Sequence, residues 1–234
     1  MAAKHIIIAA ALGIAGLWPN LAGASEASEL DAQAHAAIAA GNWQGAADIL
    51  NKLVAVDARW TNFEALGDAD FNLGKYPEAY AAFNTAIVGA KADHRLPHDQ
   101  LQTALGAMYL SRGHALVQIA RYDEALASYT SSATYLTNPG PAYYAIAALA
   151  YNQKLATPVD PVEYCDKAIA ADPTIADAYF LKGSIQMSKP TPGPDKKMVF
   201  PPGTKEALQK YLELQPNGPE AKDAHDMLDA LNQQ

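Results

Sequence analysis

The chain has 234 residues, of which 50% are hydrophobic, and it carries a formal net charge of −8 at pH 7. Burial of this much apolar surface can offset the entropy of ordering the chain, so the composition excludes a globally disordered protein. A net negative charge without a run of Lys and Arg argues against nucleic acid or an anionic membrane as the ligand. The single cysteine, Cys165, excludes an intrachain disulfide.

The first residues have the three-part layout of a secretory signal peptide. Lys4 and His5 form a basic start, and an apolar run follows over 6–17. Ala22 and Ala24 then frame a small-residue cleavage site. As a helix, the apolar run would reach roughly 18 Å, which is short of the ~30 Å hydrocarbon core of a bilayer.

We therefore predict a signal peptide over residues 1–24 and a mature domain over residues 25–234, in a secreted or periplasmic product. An uncleaved N-terminal membrane anchor is the alternative.

Two segments of the mature chain share one helical design. In GKYPEAYAAFNTAI (74–87), Ala79 and Phe83 are four residues apart and lie on one helical face. RYDEALASYTSSA repeats this spacing with Ala125 and Tyr129. A small residue next to a large ring is typical of a helix that packs closely against another.

This small-large spacing recurs along the chain. The pairs are Ala46/Leu50, Ala79/Phe83, Ala125/Tyr129, Pro161/Cys165 and Ala207/Tyr211. The steps between them are 33, 46, 36 and 46 residues. Two steps therefore match a repeat of about 34 residues, and two carry an insertion of about twelve.

The pattern resembles the second helix of a tetratricopeptide (TPR) repeat. Phe63 followed by Leu66 and Gly67 has the aromatic residue and the Leu-Gly pair of a TPR first helix. The chain is similar to secreted bacterial TPR-repeat proteins over most of residues 27–231. The resemblance implies an all-α, right-handed TPR superhelix (an α-solenoid) of about five helix pairs with a C-terminal capping helix.

The two long steps locate the insertions. Residues 91–100 indicate a longer turn that leads into a long helix over 99–120. Residues 189–203 contain five prolines, which bar a regular helix and predict a small hairpin or ordered loop. After this Pro-rich insertion, a capping helix is predicted over 219–232, with Pro219 in its first turn and a charged outer face.

No motif in the sequence indicates catalysis or a cofactor. G-x-S-x-G, H-E-x-x-H and Gly-rich phosphate loops are missing from the sequence, so we expect neither an enzyme nor a bound cofactor. His94 and His98 would share a helical face, but Pro97 interrupts the helix, which favours a solvated loop over a metal site. Cys165 occupies a large-residue position and is predicted to be a small buried hydrophobe rather than a reactive thiol.

First helices line the concave side of TPR proteins, so the resemblance implies a groove that binds a protein or peptide there. The candidate groove residues in the family register are Glu64, Asp68, Phe71, Asn72, Leu110, His114, Gln118, Tyr144, Tyr151, Phe180 and Met187. Their mixture of aromatic, Met and polar side chains suits a peptide. Some TPR domains clamp a terminal carboxylate with Lys and Asn. Here Asp31 and Glu64 stand where lysine is needed, so that activity is not implied.

The sequence thus predicts an exported, non-catalytic scaffold that binds a protein or peptide in its concave groove. One alternative is an envelope assembly or transport accessory that docks through the loop over 189–203. Another is a metal-dependent binder or enzyme that uses His94 and His98. Neither a nucleic-acid partner nor a stable membrane span after removal of the signal peptide is expected.

Overall fold

The computed structural model describes residues 18–153, 155–156, 158–193 and 197–233. Eleven helices follow one another along these residues: α1 (Trp18–Ala39), α2 (Trp43–Val56), α3 (Trp60–Asn72), α4 (Tyr76–Ala92), α5 (His98–Gln118), α6 (Tyr122–Tyr135), α7 (Gly140–Asn152), α8 (Pro161–Ala171), α9 (Ala176–Met187), α10 (Thr204–Leu214) and α11 (Ala221–Asn232). Two short strands, β1 (Thr191–Pro192) and β2 (Met198–Val199), lie between α9 and α10.

Consecutive helices pack as five pairs, α1/α2, α3/α4, α5/α6, α7/α8 and α9/α10, and α11 packs against α10. First helices of neighbouring pairs also contact each other, α3 with α5 and α7 with α9. We call the layer of first helices the concave face. The all-α TPR superhelix of about five helix pairs with a capping helix, predicted from the sequence, is confirmed.

The large residue of each predicted small-large pair lies in the core. Leu50, Phe83, Tyr129, Cys165 and Tyr211 are all buried. In the fourth pair the small position is Pro161, which is the first residue of α8 and follows an Asp160 cap whose carboxylate accepts from Val162 N. The repeat register is therefore continuous from α2 to α10.

Glycines on first helices allow the second helices to approach closely. A Cβ added at Gly67 would lie 2.7 Å from the Phe83 ring, and one added at Gly183 would lie 2.7 Å from Leu208. Gly113 faces Tyr129 in the same way. The missing side chain costs about 1 kcal/mol in helix propensity, but it lets the large residue pack against backbone.

The turns inside the first three pairs need a left-handed residue. Gly41 and Gly74 adopt it, with φ of +67° and +74°, and Ala120 takes the same position in the third pair with φ +58°. The long helix predicted over 99–120 corresponds to α5, which begins at His98. It ends at Gln118 because the chain reverses its direction at Ala120.

The capping helix begins later than predicted, at Ala221 instead of 219. Residues 218–220 form a turn instead, and the buried Tyr211 fastens it. The Tyr211 hydroxyl accepts a hydrogen bond from Glu220 N at 3.0 Å and donates to the Glu220 carboxylate at 2.9 Å. This tertiary contact keeps Pro219 and Glu220 in the turn, so the helix begins two residues later than predicted.

The Pro-rich insertion forms a small antiparallel hairpin, the first of the two forms predicted for it. Thr191 pairs with Val199 and Pro192 with Met198. The Gln186 amide donates to the Pro202 carbonyl at 3.2 Å, which ties the exit of the hairpin to α9. On either side of it, α9 and α10 still pack as one helix pair.

Most of the predicted signal peptide, residues 1–17, lies outside the described residues. The described chain begins with α1, which continues through the predicted cleavage site after Ala24. Among the residues that the structure describes, no helix combines the length and hydropathy needed to cross a membrane.

Candidate functional site

The glycine contacts define equivalent positions on the first helices. Each of these glycines faces a buried residue of its second helix: Gly67 faces Phe83, Gly113 faces Tyr129 and Gly183 faces Leu208. The residue three before the glycine and the residue one after it are four apart, so they share a face of the helix. These two positions are Glu64 and Asp68 on α3, Leu110 and His114 on α5, and Phe180 and Ser184 on α9. On α7, where Ala147 replaces the glycine, they are Tyr144 and Ala148.

A cavity of about 720 Å³ opens between α5 and α7 and reaches the start of α9. Its wall consists of Leu110, His114 and Val117 from α5, Tyr129 from α6, Ile175, and from α7 and its ends Pro141, Tyr144, Ala145, Ala148, Leu149, Asn152 and Gln153. Most of this wall is apolar, and His114, Asn152 and Gln153 add polar side chains to it. The cavity volume is within the range of about 300–1,000 Å³ that is typical of ligand pockets.

His114 is a polar group on the wall that stays uncharged at neutral pH. Its ring packs edge-on against Tyr129, with 5.4 Å between the ring centroids. Loss of solvent lowers the pKa of His114, and burial raises the pKa of Tyr129. Both rings can therefore exchange hydrogen bonds with a ligand, and neither brings a charge into the cavity.

Tyr144 lies where the cavity meets acidic side chains. Burial raises the pKa of Tyr144 to about 12, and the negative charges of Asp177 and Glu220 add to the shift. Asp177 follows the wall residue Ile175 by two positions, and burial also raises its pKa. We call Asp177 and Glu220 the far acidic flank of the cavity.

A second acidic pair lies on α3, at the positions that Leu110 and His114 occupy on the neighbouring first helix. We call Glu64 and Asp68 the near acidic flank. Burial, with a smaller effect from the Asp68 charge, raises the pKa of Glu64 to about 7. The Asp68 side chain is exposed, yet the surrounding protein removes part of its solvent and raises its pKa to about 6. Among the described ion pairs, none includes either carboxylate.

The structure places three predicted groove residues, Leu110, His114 and Tyr144, on the cavity wall. Two other predicted groove residues pack against neighbouring aromatic rings instead of lining the cavity. Phe71 contacts Tyr76 at 5.3 Å between ring centroids, and Phe180 contacts the buried Tyr211 at 5.2 Å. The remaining candidates, Glu64, Asp68, Asn72, Gln118, Tyr151 and Met187, are exposed or half-buried outside the cavity wall.

Sequence reasoning missed several wall residues that its own register contains. Ala148 and Asn152 follow Tyr144 by four and eight residues and therefore share its face. Val117 follows Leu110 by seven and could have been found in the same way. Ile175 and Gln153 lie in the turns at the ends of α9 and α7, where helical periodicity carries no signal.

The alternative metal site has little structural support. His94 lies in the turn before α5, and His98 is the first residue of that helix, so no helix runs through both. Within the described ranges, no three His, Cys, Asp or Glu side chains are grouped so that they could hold a metal ion. Cys165 is fully buried, and burial raises its pKa to about 12, as expected for a core thiol.

No family model matches the sequence, and no curated protein matches it. Solved structures do. MamA residues 41 to the end, from Desulfovibrio magneticus RS-1, is 18% identical with a TM-score of 0.62, over 83% of this chain and 97% of that one. YrrB, described as a TPR protein with an unusual peptide-binding site, is 18% identical with a TM-score of 0.57, over 82% of this chain and 88% of that one. PilF from Pseudomonas aeruginosa is 12% identical with a TM-score of 0.60, over 89% of this chain and 90% of that one.

At these identities the likeness concerns the fold. It agrees with the helix pairing, with the glycine contacts and with the repeat spacing read from the sequence. By fold, the chain is a TPR superhelix.

Proposed function

We propose that this chain is a non-catalytic interaction scaffold that holds a protein or peptide segment in the cavity between α5 and α7. The observation that carries this proposal is the cavity itself, about 720 Å³ in volume, on the concave face. Its wall is mostly apolar with a few polar groups, which is the composition of a small recognition pocket. YrrB offers a precedent for peptide binding on this fold.

The helix pairs also favour binding. Buried clusters join each helix pair to the next, so the concave face is rigid before a ligand arrives. Leu110 and His114 on α5 and Tyr144 on α7 are held at fixed spacing by the packing of Gly113 and Ala147 behind them. A preformed site loses little conformational entropy on binding, so the same contacts give more affinity.

The role of Tyr144 tests this proposal directly. Peptides selected from a random library on the full-length chain should bind the Tyr144→Ala variant at least about tenfold more weakly, because the cavity wall loses its half-buried aromatic anchor. Fluorescence anisotropy with a labelled selected peptide measures the change. Tyr151→Ala is the matched control, since Tyr151 is on the same helix, 48% exposed and outside the cavity wall. Equal affinity of the parent and Tyr144→Ala would overturn the proposal.

We also propose that the chain is exported and that residues 1–24 are removed. The packing of α1 is compatible with this, because Ala27, Leu30 and Ala34, which follow the cleavage site, contact the first core cluster. Cleavage after Ala24 would therefore leave the contacts of Leu30 and Ala34 with that cluster in place. N-terminal sequencing of the product from its native source should read Ser25 first. An intact Met1 would contradict cleavage and favour the anchor.

One observation favours a second mode of binding. Met198 and Val199 are neighbours on the hairpin and are 41% and 50% exposed, so together they form a small apolar surface that a partner can cover. In this mode the chain is an accessory of an envelope machine that docks through the Pro-rich loop.

Replacing residues 189–203 by a short Gly/Ser turn separates the two modes. Since α9 and α10 pack with each other on either side of the hairpin, helicity and the melting temperature should change little. Shortening a loop alters its closure entropy by only about 0.6 kcal/mol per twofold change in length. Circular dichroism and binding of the selected peptide are measured together. Peptide binding kept by this variant supports the cavity, and peptide binding lost with the fold intact supports the hairpin.

A further inference from the structure

The two acidic flanks point to the chemistry of the partner. Glu64 and Asp68 occupy on α3 the positions that are Leu110 and His114 on α5. The near acidic flank is therefore beside the apolar wall on the next first helix, which contacts α3 directly. The far acidic flank borders the opposite end, since Asp177 follows the wall residue Ile175 by two positions.

The two basic residues on helices α3, α5, α7 and α9, Arg112 and Lys182, are bound to second helices. Among the described residues that form the cavity wall, none is Lys or Arg. Arg112 of α5 donates to Ser128 on α6 and to Asn84 on α4, at 3.2 and 3.1 Å. Lys182 of α9 is bound to Asp166 on α8 at 2.6 Å. These contacts hold both cations toward the second helices, where they pair with residues other than the two acidic flanks.

The near flank is a pair of like charges held together without a countercharge. Glu64 and Asp68 are four residues apart on α3, and the Asp68 charge contributes to the raised pKa of Glu64. Partly desolvated carboxylates in such an arrangement gain from a cation that arrives with a ligand, because the cation restores their charged form.

We propose that the segment bound by this scaffold is a basic amphipathic peptide, with apolar side chains in the cavity and Lys or Arg side chains on the two acidic flanks. This inference rests on the proposed function and adds the partner's charge to it. Charge complementarity of this kind raises the association rate and rejects acidic competitors. The overall net charge of −8 acts in the same direction at longer range.

A peptide library tests the inference on the full-length chain. Random peptides displayed on phage are selected for binding, and the winners are sequenced. We expect Lys and Arg to be enriched next to aliphatic or aromatic residues. The best winner is then compared with two synthetic relatives, one with every Lys and Arg changed to Gln and one with the apolar residues changed to Ser. Both relatives should bind about tenfold more weakly or worse.

Paired variants locate the charge effect. Glu64→Gln combined with Asp68→Asn should weaken the basic peptide about tenfold and leave the Gln-substituted peptide unchanged. The control combines Glu206→Gln with Asp229→Asn, which removes the same charge from exposed positions on α10 and α11. The control should keep the parent affinity, and circular dichroism should show both variants folded.

Each other outcome has a definite meaning. Winners that depend on Tyr144 but show no preference for Lys or Arg would overturn the basic partner and keep the scaffold proposal. An equal loss in the flank variant and its control would also overturn it, because bulk charge alone would explain the binding. Absence of any winner that depends on Tyr144 would overturn both proposals.

Discussion

Phe83→Ala should lower the free energy of unfolding by about 3–5 kcal/mol, through lost transfer free energy plus a cavity. Phe83 is 1% exposed, and its ring lies against the bare backbone of Gly67. Gly67 has no side chain that can move into the space that the ring leaves. Chemical denaturation followed by circular dichroism measures the change. Tyr129→Ala should have a similar effect, but Tyr129 also lines the cavity, so Phe83 gives the cleaner test.

Val88→Ala is the matched control for Phe83→Ala. Val88 is on the same helix, α4, but is 63% exposed. Its truncation should change stability by no more than about 0.5 kcal/mol, as expected for a surface substitution. If the two variants had the same denaturant midpoint, Phe83 would not be the core residue of its repeat, and the register built on it would be wrong.

Glu64→Gln should stabilise the protein at pH 8 by about 1–3 kcal/mol. Burial raises the pKa of Glu64 from 4.5 to about 7. The folded chain therefore holds this proton more tightly than the unfolded chain, and the ionisation of Glu64 costs stability as the pH rises from about 4.5 to 7. A pKa shift of this size would change the free energy of unfolding by about 3 kcal/mol if all of it contributed to stability. The half-buried side chain still contacts some water, which reduces the value.

The sign of the pH dependence distinguishes this effect from ordinary packing. The advantage of Glu64→Gln should be largest at pH 8 and should disappear below about pH 3.5, where the parent carboxyl is protonated in both the folded and the unfolded chain. Glu206→Gln is the control, because Glu206 is exposed on α10. Its stability should follow that of the parent at every pH. A Glu64→Gln advantage that did not vary with pH would show that Glu64 is ionised in the folded chain as easily as in the unfolded one.

Sequence spacing was enough to determine the fold. Helix faces repeat every 3.6 residues, so Ala79 and Phe83, or Ala125 and Tyr129, had to share a face whatever surrounded them. The recurrence of that pair near the TPR period then required stacked helix pairs, since one pair cannot bury its apolar face alone. The prolines of 189–203 excluded a helix for an equally local reason, the lack of a backbone N–H.

The sequence by itself determined the repeat architecture, because it follows from local periodicity. The prediction that first helices form the binding layer came from the resemblance to TPR repeats. Tertiary structure alone decided which residues form the site. Phe71 and Phe180 turn inward to pack against neighbouring rings, while Leu110 and Tyr144, on different first helices, meet around one cavity. Such contacts join residues far apart in the chain. The raised pKa of Glu64 has the same origin, because it depends on how much water the assembled superhelix removes from its carboxylate.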